Sequence, residues 1–141
     1  MIGDGVDVVP LASPVLGRDE EERVLAVMRS GQLSLGPLGD QFERAFAGRL
    51  GAAHASCFTM AVAFALTNEK LEPTELSTVA TVHLEKQDAG WTVTKIELVL
   101  DGSVPGIDAA KFQAIAEGAK KNCPISRALA ATPMTLTATL R

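Results

Sequence analysis

The sequence predicts an α+β protein, a long buried central helix packed on a small antiparallel sheet, with two further helices in front. Three observations carry this. Ala52–Glu69 is apolar nearly all round, as a helix covered on most faces would be. Ser77–Lys86 and Trp91–Asp101 alternate polar and apolar residues with the period of a strand. Helical spacing then returns behind an aspartate cap at Asp108.

Taken in order, Met1–Arg18 is rich in Gly and Pro and reads as an extended arm. Asp19 opens an acidic first turn in DEEERVLAVMRSG, with Val24, Leu25 and Met28 as its apolar stripe and Arg29 and Gly31 marking its end. The loop QLSLGP leads to a second helix, about Leu38–Leu50, with Pro37 in its first turn and Phe42, Phe46 and Leu50 on one face. The third, Ala52–Glu69, stops before Pro73. Asp88, Ala89 and Gly90 separate the two alternating segments, so these form an antiparallel hairpin. Val79, Thr81, His83 and Glu85 share one face of its first strand. Asp108 caps AAKFQAIAEGAKKN, whose stripe is Phe112, Ile115, Ala116 and Ala119. Cys123 and Pro124 interrupt that helix, Pro124 starts a short one in PISRALA, and Met134–Leu140 alternates as a last strand. The predicted order is α-α-α-β-β-α-β.

Composition narrows the function. A chain of 141 residues, 47% hydrophobic and 21% charged, buries a real core of one domain. Five Phe, one Trp and no Tyr leave that core to Ala, Val, Leu and Ile. A net charge of -4 without a basic run speaks against a nucleic-acid partner. MIGDGVDVVP lacks the basic start and apolar stretch of an export signal. The longest apolar run, Gly51–Leu66, is shorter than the roughly 20 residues that a bilayer needs. It carries His54, Ser56 and Thr59 and reads as a core helix, so no membrane partner is expected. A cytoplasmic protein with reduced thiols follows.

Two residues stand out for chemistry, Cys57 and Cys123. They lie too far apart in sequence to form a metal motif, and no metal or cofactor is expected. A cysteine on an apolar helix is most often a small hydrophobe. Cys123 has local support for a thiolate, standing where Pro124 begins a helix, with Arg127 one turn on and Lys120 and Lys121 beside it. His54, three residues before Cys57, offers the spacing of a cysteine–histidine dyad, although packing is the commoner role. His83, midway along a strand, reads as a surface or edge residue.

HASCFTMAVAFAL, LSTVATVHLEK, GWTVTKIELVLDGSVPGIDAAKF and KKNCPISRALA together resemble successive blocks of the OsmC/organic hydroperoxide resistance (Ohr) family, from about Gly51 to Arg141. The resemblance implies a thiol peroxidase acting on organic hydroperoxides, in an intertwined homodimer. Cys57 matches the family's peroxide-attacking cysteine on the long central helix. Cys123 matches the cysteine that resolves the sulfenic acid into a disulfide, which a dithiol then reduces. The family also uses an arginine that favours the thiolate and a glutamate that orients it. Here Ala47 and Gly48 occupy the glutamate's region, and the strand that bears the arginine has no counterpart. Arg44 and Arg49 lie nearby but match no family motif.

The front end, VPLASPVLGRDEEERVLAVMRSGQLSLGPLGDQFERAFAGRLGA, resembles the opening of DegT-type PLP-dependent sugar aminotransferases over residues 9–50. It stops before that family's phosphate-cradling Ser-Gly-Thr turn and Schiff-base lysine, both of which PLP chemistry needs. The chain thus reads as a chimera, an aminotransferase-like helical arm (1–50) joined to a truncated OsmC-like domain (51–141).

A thiol with a pKa of about 8.5 is only a few per cent ionised at neutral pH, and a close guanidinium typically shifts an ionisable group by about 1–3 units. Without the arginine, the Cys57 thiolate fraction falls about tenfold or more. Two readings follow: a weakened Cys57/Cys123 peroxidase, or an inactive OsmC-like oligomeric module. An aminotransferase fragment ranks last.

Overall fold

The computed structural model describes residues 16–32, 36–88 and 90–141. Its elements are α1 (Arg18–Ser30), α2 (Pro37–Asn68), β1 (Glu75–Gln87), β2 (Gly90–Ser103), α3 (Ala109–Asn122), α4 (Pro124–Ala128) and β3 (Met134–Leu140). The chain divides into two compact units, one through Gly39 and one from Asp40. Most of the expected arm, Met1–Arg18, lies outside the described residues, as do residues 33–35 of the QLSLGP loop.

α1 starts and stops where its sequence directs. The Glu20 carboxylate accepts the Gly17 backbone N–H at 2.7 Å, and Gly31 ends the helix with φ 68°. Its apolar stripe packs less than expected, since Val24, Leu25 and Met28 are 58%, 45% and 64% exposed and α1 buries no residue.

α2 corrects two expectations. The sequence predicts separate helices on either side of Gly51, whereas one helix of 32 residues runs through it. A helical glycine costs only about 1 kcal/mol relative to alanine, too little to break a helix held by packing. The glycine has a steric reason here, because a Cβ at position 51 would meet the Ala80 carbonyl oxygen of β1 at 2.8 Å. The second correction concerns cover. Only one stripe is buried, Gly51, His54, Phe58, Val62 and Leu66, while Met60 and Phe64 are 72% and 69% exposed. Among the described residues α2 is the one helix long and apolar enough to cross a membrane, by length and composition alone. Its buried stripe nevertheless belongs to the core shared with the sheet.

The hairpin forms as the alternation predicts. β1 and β2 pair antiparallel from Gln87↔Gly90 to Glu75↔Ser103, with one irregularity where His83 faces Lys95 and Leu84 faces Val93. β3, however, pairs parallel to β2, from Ile96↔Met134 to Gly102↔Leu140, so the sheet expected to be antiparallel is mixed, in the order β1-β2-β3. Parallel neighbours need a long crossover, and α3 and α4 supply it between β2 and β3.

The period of two sorts the faces. Ile96, Leu98 and Leu100 are buried in the core, with Ala80, Val82, Leu136 and Ala138 packed against it, while Val79 and Val99 are exposed on the other side. Asp108 caps α3 by accepting the Lys111 backbone N–H at 2.7 Å, and Phe112, Ile115, Ala116 and Ala119 form its buried stripe. Phe112 fills the space over Gly102, where a Cβ would lie 2.5 Å from its ring. Fully burying each of Phe58, Val62, Leu66 and Phe112 contributes roughly 1.5–3 kcal/mol.

The Gly51 contact predicts opposite signs for two substitutions on one helix. A Cβ at Gly48 meets nothing within 4 Å, so Gly48→Ala stabilises by about 0.5–1 kcal/mol through helix propensity. Gly51→Ala gains the same propensity but forces the backbone of β1 to move, and loses about 1–2 kcal/mol net. Urea unfolding of the two variants checks the sign of each.

Candidate functional site

Cys57 lies on α2 beside the buried Phe58, at the border of the core stripe, and is half-buried. It opens onto an apolar groove of about 1100 Å³ between α2 and α3, walled by Met60, Phe64, Ile115 and Ile125. Cys123 occupies the joint between α3 and α4 and is fully buried. Its backbone N–H closes α3 on the Ala119 carbonyl at 2.8 Å. Pro124 disfavours helical geometry at the preceding residue, so Cys123 is extended, with φ -60° and ψ 123°. The chain turns there, and the two sulfurs lie 3.2 Å apart as free thiols. That is about 1 Å beyond a covalent S–S bond.

Two thiols at this distance do not ionise independently, since charge on one opposes charge on the other. For Cys57, the Ile125 backbone N–H favours the thiolate. Burial, a hydrogen bond with Cys123 and that neighbour's charge outweigh it and push the thiol up. For Cys123, burial opposes ionisation most. The Ser126 N–H, the Cys57 thiol, the Ser126 hydroxyl and the Ile125 N–H together overcome it and bring the thiol down. None of these donors closes a helix cap on the sulfur, so their effect is that of dipoles aimed at a weak acceptor.

The groups acting on Cys123 differ from those that the sequence points to. Arg127 and Lys121 are exposed, where water screens them, and Lys120 pairs with Glu117 at 2.8 Å. Hydrogen bonds, and not the neighbouring cations, favour this thiolate. Arg44 and Arg49 are exposed too. On the continuous α2, Arg49 precedes Cys57 by about 12 Å of helical rise. No guanidinium is among the groups that shift the Cys57 thiol.

His54 does not form a dyad with Cys57. It is fully buried, and its Nε2 lies 2.8 Å from the Ser126 hydroxyl oxygen of α4. Burial lowers its pKa, so the ring is neutral. Ser126 itself is buried, and the motif reading passes over it although it stands three residues after Cys123. Its position in the first turn of a helix begun by Cys-Pro is the one available signal. His83 is a half-exposed strand residue, as expected, pairing with Glu97 at 2.8 Å. Lys95 and His83 together hold the Glu97 carboxyl below its usual range.

The family described as OsmC-like protein matches residues 49–138. The peroxiredoxin OsmC of Escherichia coli (strain K12) is 48% identical over 82 residues, which are 58% of this chain and 57% of that protein. The chain thus spans little more than half the length of this curated relative. A solved organic hydroperoxide resistance protein OsmC from Legionella pneumophila superposes with a TM-score of 0.56 at 21% identity, covering 66% of this chain and 67% of that one, a likeness of fold. The spore coat polysaccharide biosynthesis protein SpsC of Bacillus subtilis (strain 168) is 39% identical over 69 residues, 46% of this chain and 18% of that protein. With the matched segment covering both sulfurs, the groove, both strands of the hairpin and most of β3, the chain belongs to the OsmC-like family.

Proposed function

We propose that the chain is a cysteine-dependent peroxidase that reduces organic hydroperoxides with Cys57 and Cys123. One observation carries the reading: two free thiols 3.2 Å apart, of which Cys57 alone lines an apolar groove. The groove suits a hydroperoxide with a hydrocarbon body. The Cys57 sulfur attacks the terminal peroxide oxygen, the O–O bond breaks, and the alcohol leaves with the thiol proton. Cys123 then attacks the sulfenic sulfur. An S–S bond forms, the S–O bond breaks, and water leaves. A dithiol of the reducing cytoplasm returns both thiols.

The first step is the slow one. Among the described residues no cation favours the Cys57 thiolate, and its pKa is pushed up. This same observation favours the second reading, an OsmC-like module without turnover. Residues 1–50 are read as a helical arm with no PLP chemistry of its own.

We also read the protein as a homodimer. Met60 and Phe64 leave an apolar face of α2 exposed beside the groove, and Phe42 and Phe46 extend it as a stacked pair with ring centroids 6.4 Å apart.

Three outcomes follow. Wild type consumes cumene hydroperoxide weakly with a dithiol reductant, Cys57→Ser abolishes consumption, and Cys123→Ser gives one turnover and a dimedone adduct on Cys57 by mass spectrometry. Equal slow consumption by wild type and Cys57→Ser leaves the inactive module as the reading. The rate rises with pH, because the thiolate attacks and a raised pKa keeps its fraction small at neutrality. A rate that is flat from pH 6 to 9, about the range in which a thiol begins to ionise, removes the assignment of attack to Cys57. Light scattering gives a mass above the 14.8 kDa of one chain, and a clean monomer at micromolar concentration refutes the dimer.

A further inference from the structure

Among the described residues, His54 is the one fully buried titratable side chain that the two-cysteine cycle does not use. Two polar contacts join its surroundings to the cysteine pair. From α2, His54 Nε2 meets the Ser126 hydroxyl at 2.8 Å. Ser126 is 6% exposed and sits one helical turn after Cys123. Cys123 in turn meets Cys57, back on α2, at 3.2 Å. One contact leaves α2 at His54, the other reaches it at Cys57, and Ser126 and Cys123 share the first turn of α4. The two contacts therefore tie that turn to α2 at two points.

We propose that His54 is a positioning residue for Cys123, acting through Ser126. It fixes the start of α4 against α2 and orients the Ser126 hydroxyl so that its proton faces the Cys123 sulfur. The inference rests on the peroxidase reading for its consequence, the resolution of a Cys57 sulfenic acid by Cys123.

The tautomer follows from the partners. Nδ1 of His54 meets no hydrogen-bond partner among the described residues. A buried N–H without an acceptor is rarer and costlier than a bare lone pair, so the proton resides on Nε2 and Nδ1 is unprotonated. Nε2–H then donates to the Ser126 oxygen. That leaves the single hydroxyl proton of Ser126 free to point at sulfur. With the opposite tautomer, Ser126 would spend its proton on His54 and offer Cys123 only a lone pair. The ring thus directs a donor and is not a base that takes up the thiol proton. The Ser126 hydroxyl is among the groups that lower the Cys123 thiol, alongside the Ser126 and Ile125 N–H groups and Cys57. No cation shares that role, since Lys120 is paired with Glu117 and Lys121 and Arg127 are exposed.

In the resolving step the Cys123 thiolate attacks the sulfenic sulfur of Cys57. The S–S bond forms, the S–O bond breaks, and the departing hydroxide takes up from solvent the proton that Cys123 released on ionising, leaving as water. The Ser126 hydroxyl keeps its own proton and stabilises the thiolate before attack. Loss of that donor lowers the thiolate fraction and lengthens the life of the sulfenic acid.

The test separates this role from peroxidase activity. In a Cys57→Ser background Cys123 is the one thiol, and its ionisation is followed by absorbance at about 240 nm against pH, which needs no access to the sulfur. His54→Leu and Ser126→Ala each raise the midpoint by about 0.5–1 pH unit, the share of one donor among several. His54→Gln, which can still donate to Ser126, stays near the parent. With both cysteines present, single-turnover dimedone trapping after cumene hydroperoxide shows a Cys57 sulfenic acid that lives about three- to tenfold longer in His54→Leu and Ser126→Ala, in proportion to the lost thiolate. A folded His54→Leu that titrates and resolves as its parent overturns the proposal, as does an equal shift in His54→Gln. Should His54→Leu fail to fold, an unshifted Ser126→Ala overturns it alone. If the protein with both cysteines forms no sulfenic acid, the peroxidase reading fails, and the titration by itself decides the role of His54.

Discussion

Any side chain at position 51 would collide with the Ala80 carbonyl oxygen at 2.8 Å, and the site depends on that close approach. It lets α2 lie against β1 at one end of the stripe Gly51, His54, Phe58, Val62 and Leu66. With the axis so placed, helical geometry decides the rest. His54 and Phe58 enter the core, and Cys57, one position before Phe58, falls at its edge. A Thr59–Thr78 hydroxyl contact at 2.7 Å ties the same turn to β1. A small rotation of α2 would carry Cys57 into the core or out to water, and the groove mouth would no longer contain it.

The same geometry explains why two cysteines of one helix–turn pair have such unlike surroundings. Cys123 sits at a bend that Pro124 imposes, where the N–H groups of Ile125 and Ser126 have no helical acceptors and point toward the preceding residue. Cys57 sits in mid-helix, where the N–H groups of α2 are already engaged, and depends on Ile125 from across the gap. Donor supply, not depth of burial, sets the order of acidity. The more deeply buried sulfur is the one brought down, and the more accessible one is pushed up.

Local order was legible and long-range order was not. The hairpin, the Asp108 cap and the stripe Phe112, Ile115, Ala116 and Ala119 follow from period and capping within a dozen residues, and all of them formed. The continuity of α2 was missed because Gly51 reads locally as a stop, while the carbonyl that requires it belongs to residue 80. The parallel pairing of β3 was missed because alternation reports a strand and not its direction. α1 shows the converse error, a stripe present in sequence without burial to match. For the site, the pairing of Cys57 with Cys123 rested on family blocks, since no periodicity links residues 66 apart. The His54–Ser126 contact spans 72 residues with no such blocks to point at it, and it was not foreseen.

The distribution of donors bears on the two halves of the proposed two-cysteine cycle. A guanidinium beside a thiol acts over several ångströms and can serve an attacking sulfur that lies open to substrate. Backbone and hydroxyl donors act only in contact, so they serve the sulfur that they touch. Here the contact donors gather on Cys123, and among the described residues no cation favours the Cys57 thiolate. In the proposed cycle, such a site is better prepared to close a disulfide than to open a peroxide. Proton sharing across 3.2 Å softens this asymmetry without removing it. When the pair loses one proton, the charge rests mainly on Cys123, which is then a base next to the Cys57 proton. Attack on peroxide can then draw on the small population in which the proton has moved from one sulfur to the other. That transfer costs the difference in acidity between the two thiols, so each donor that favours Cys123 for the second step raises the cost of the first.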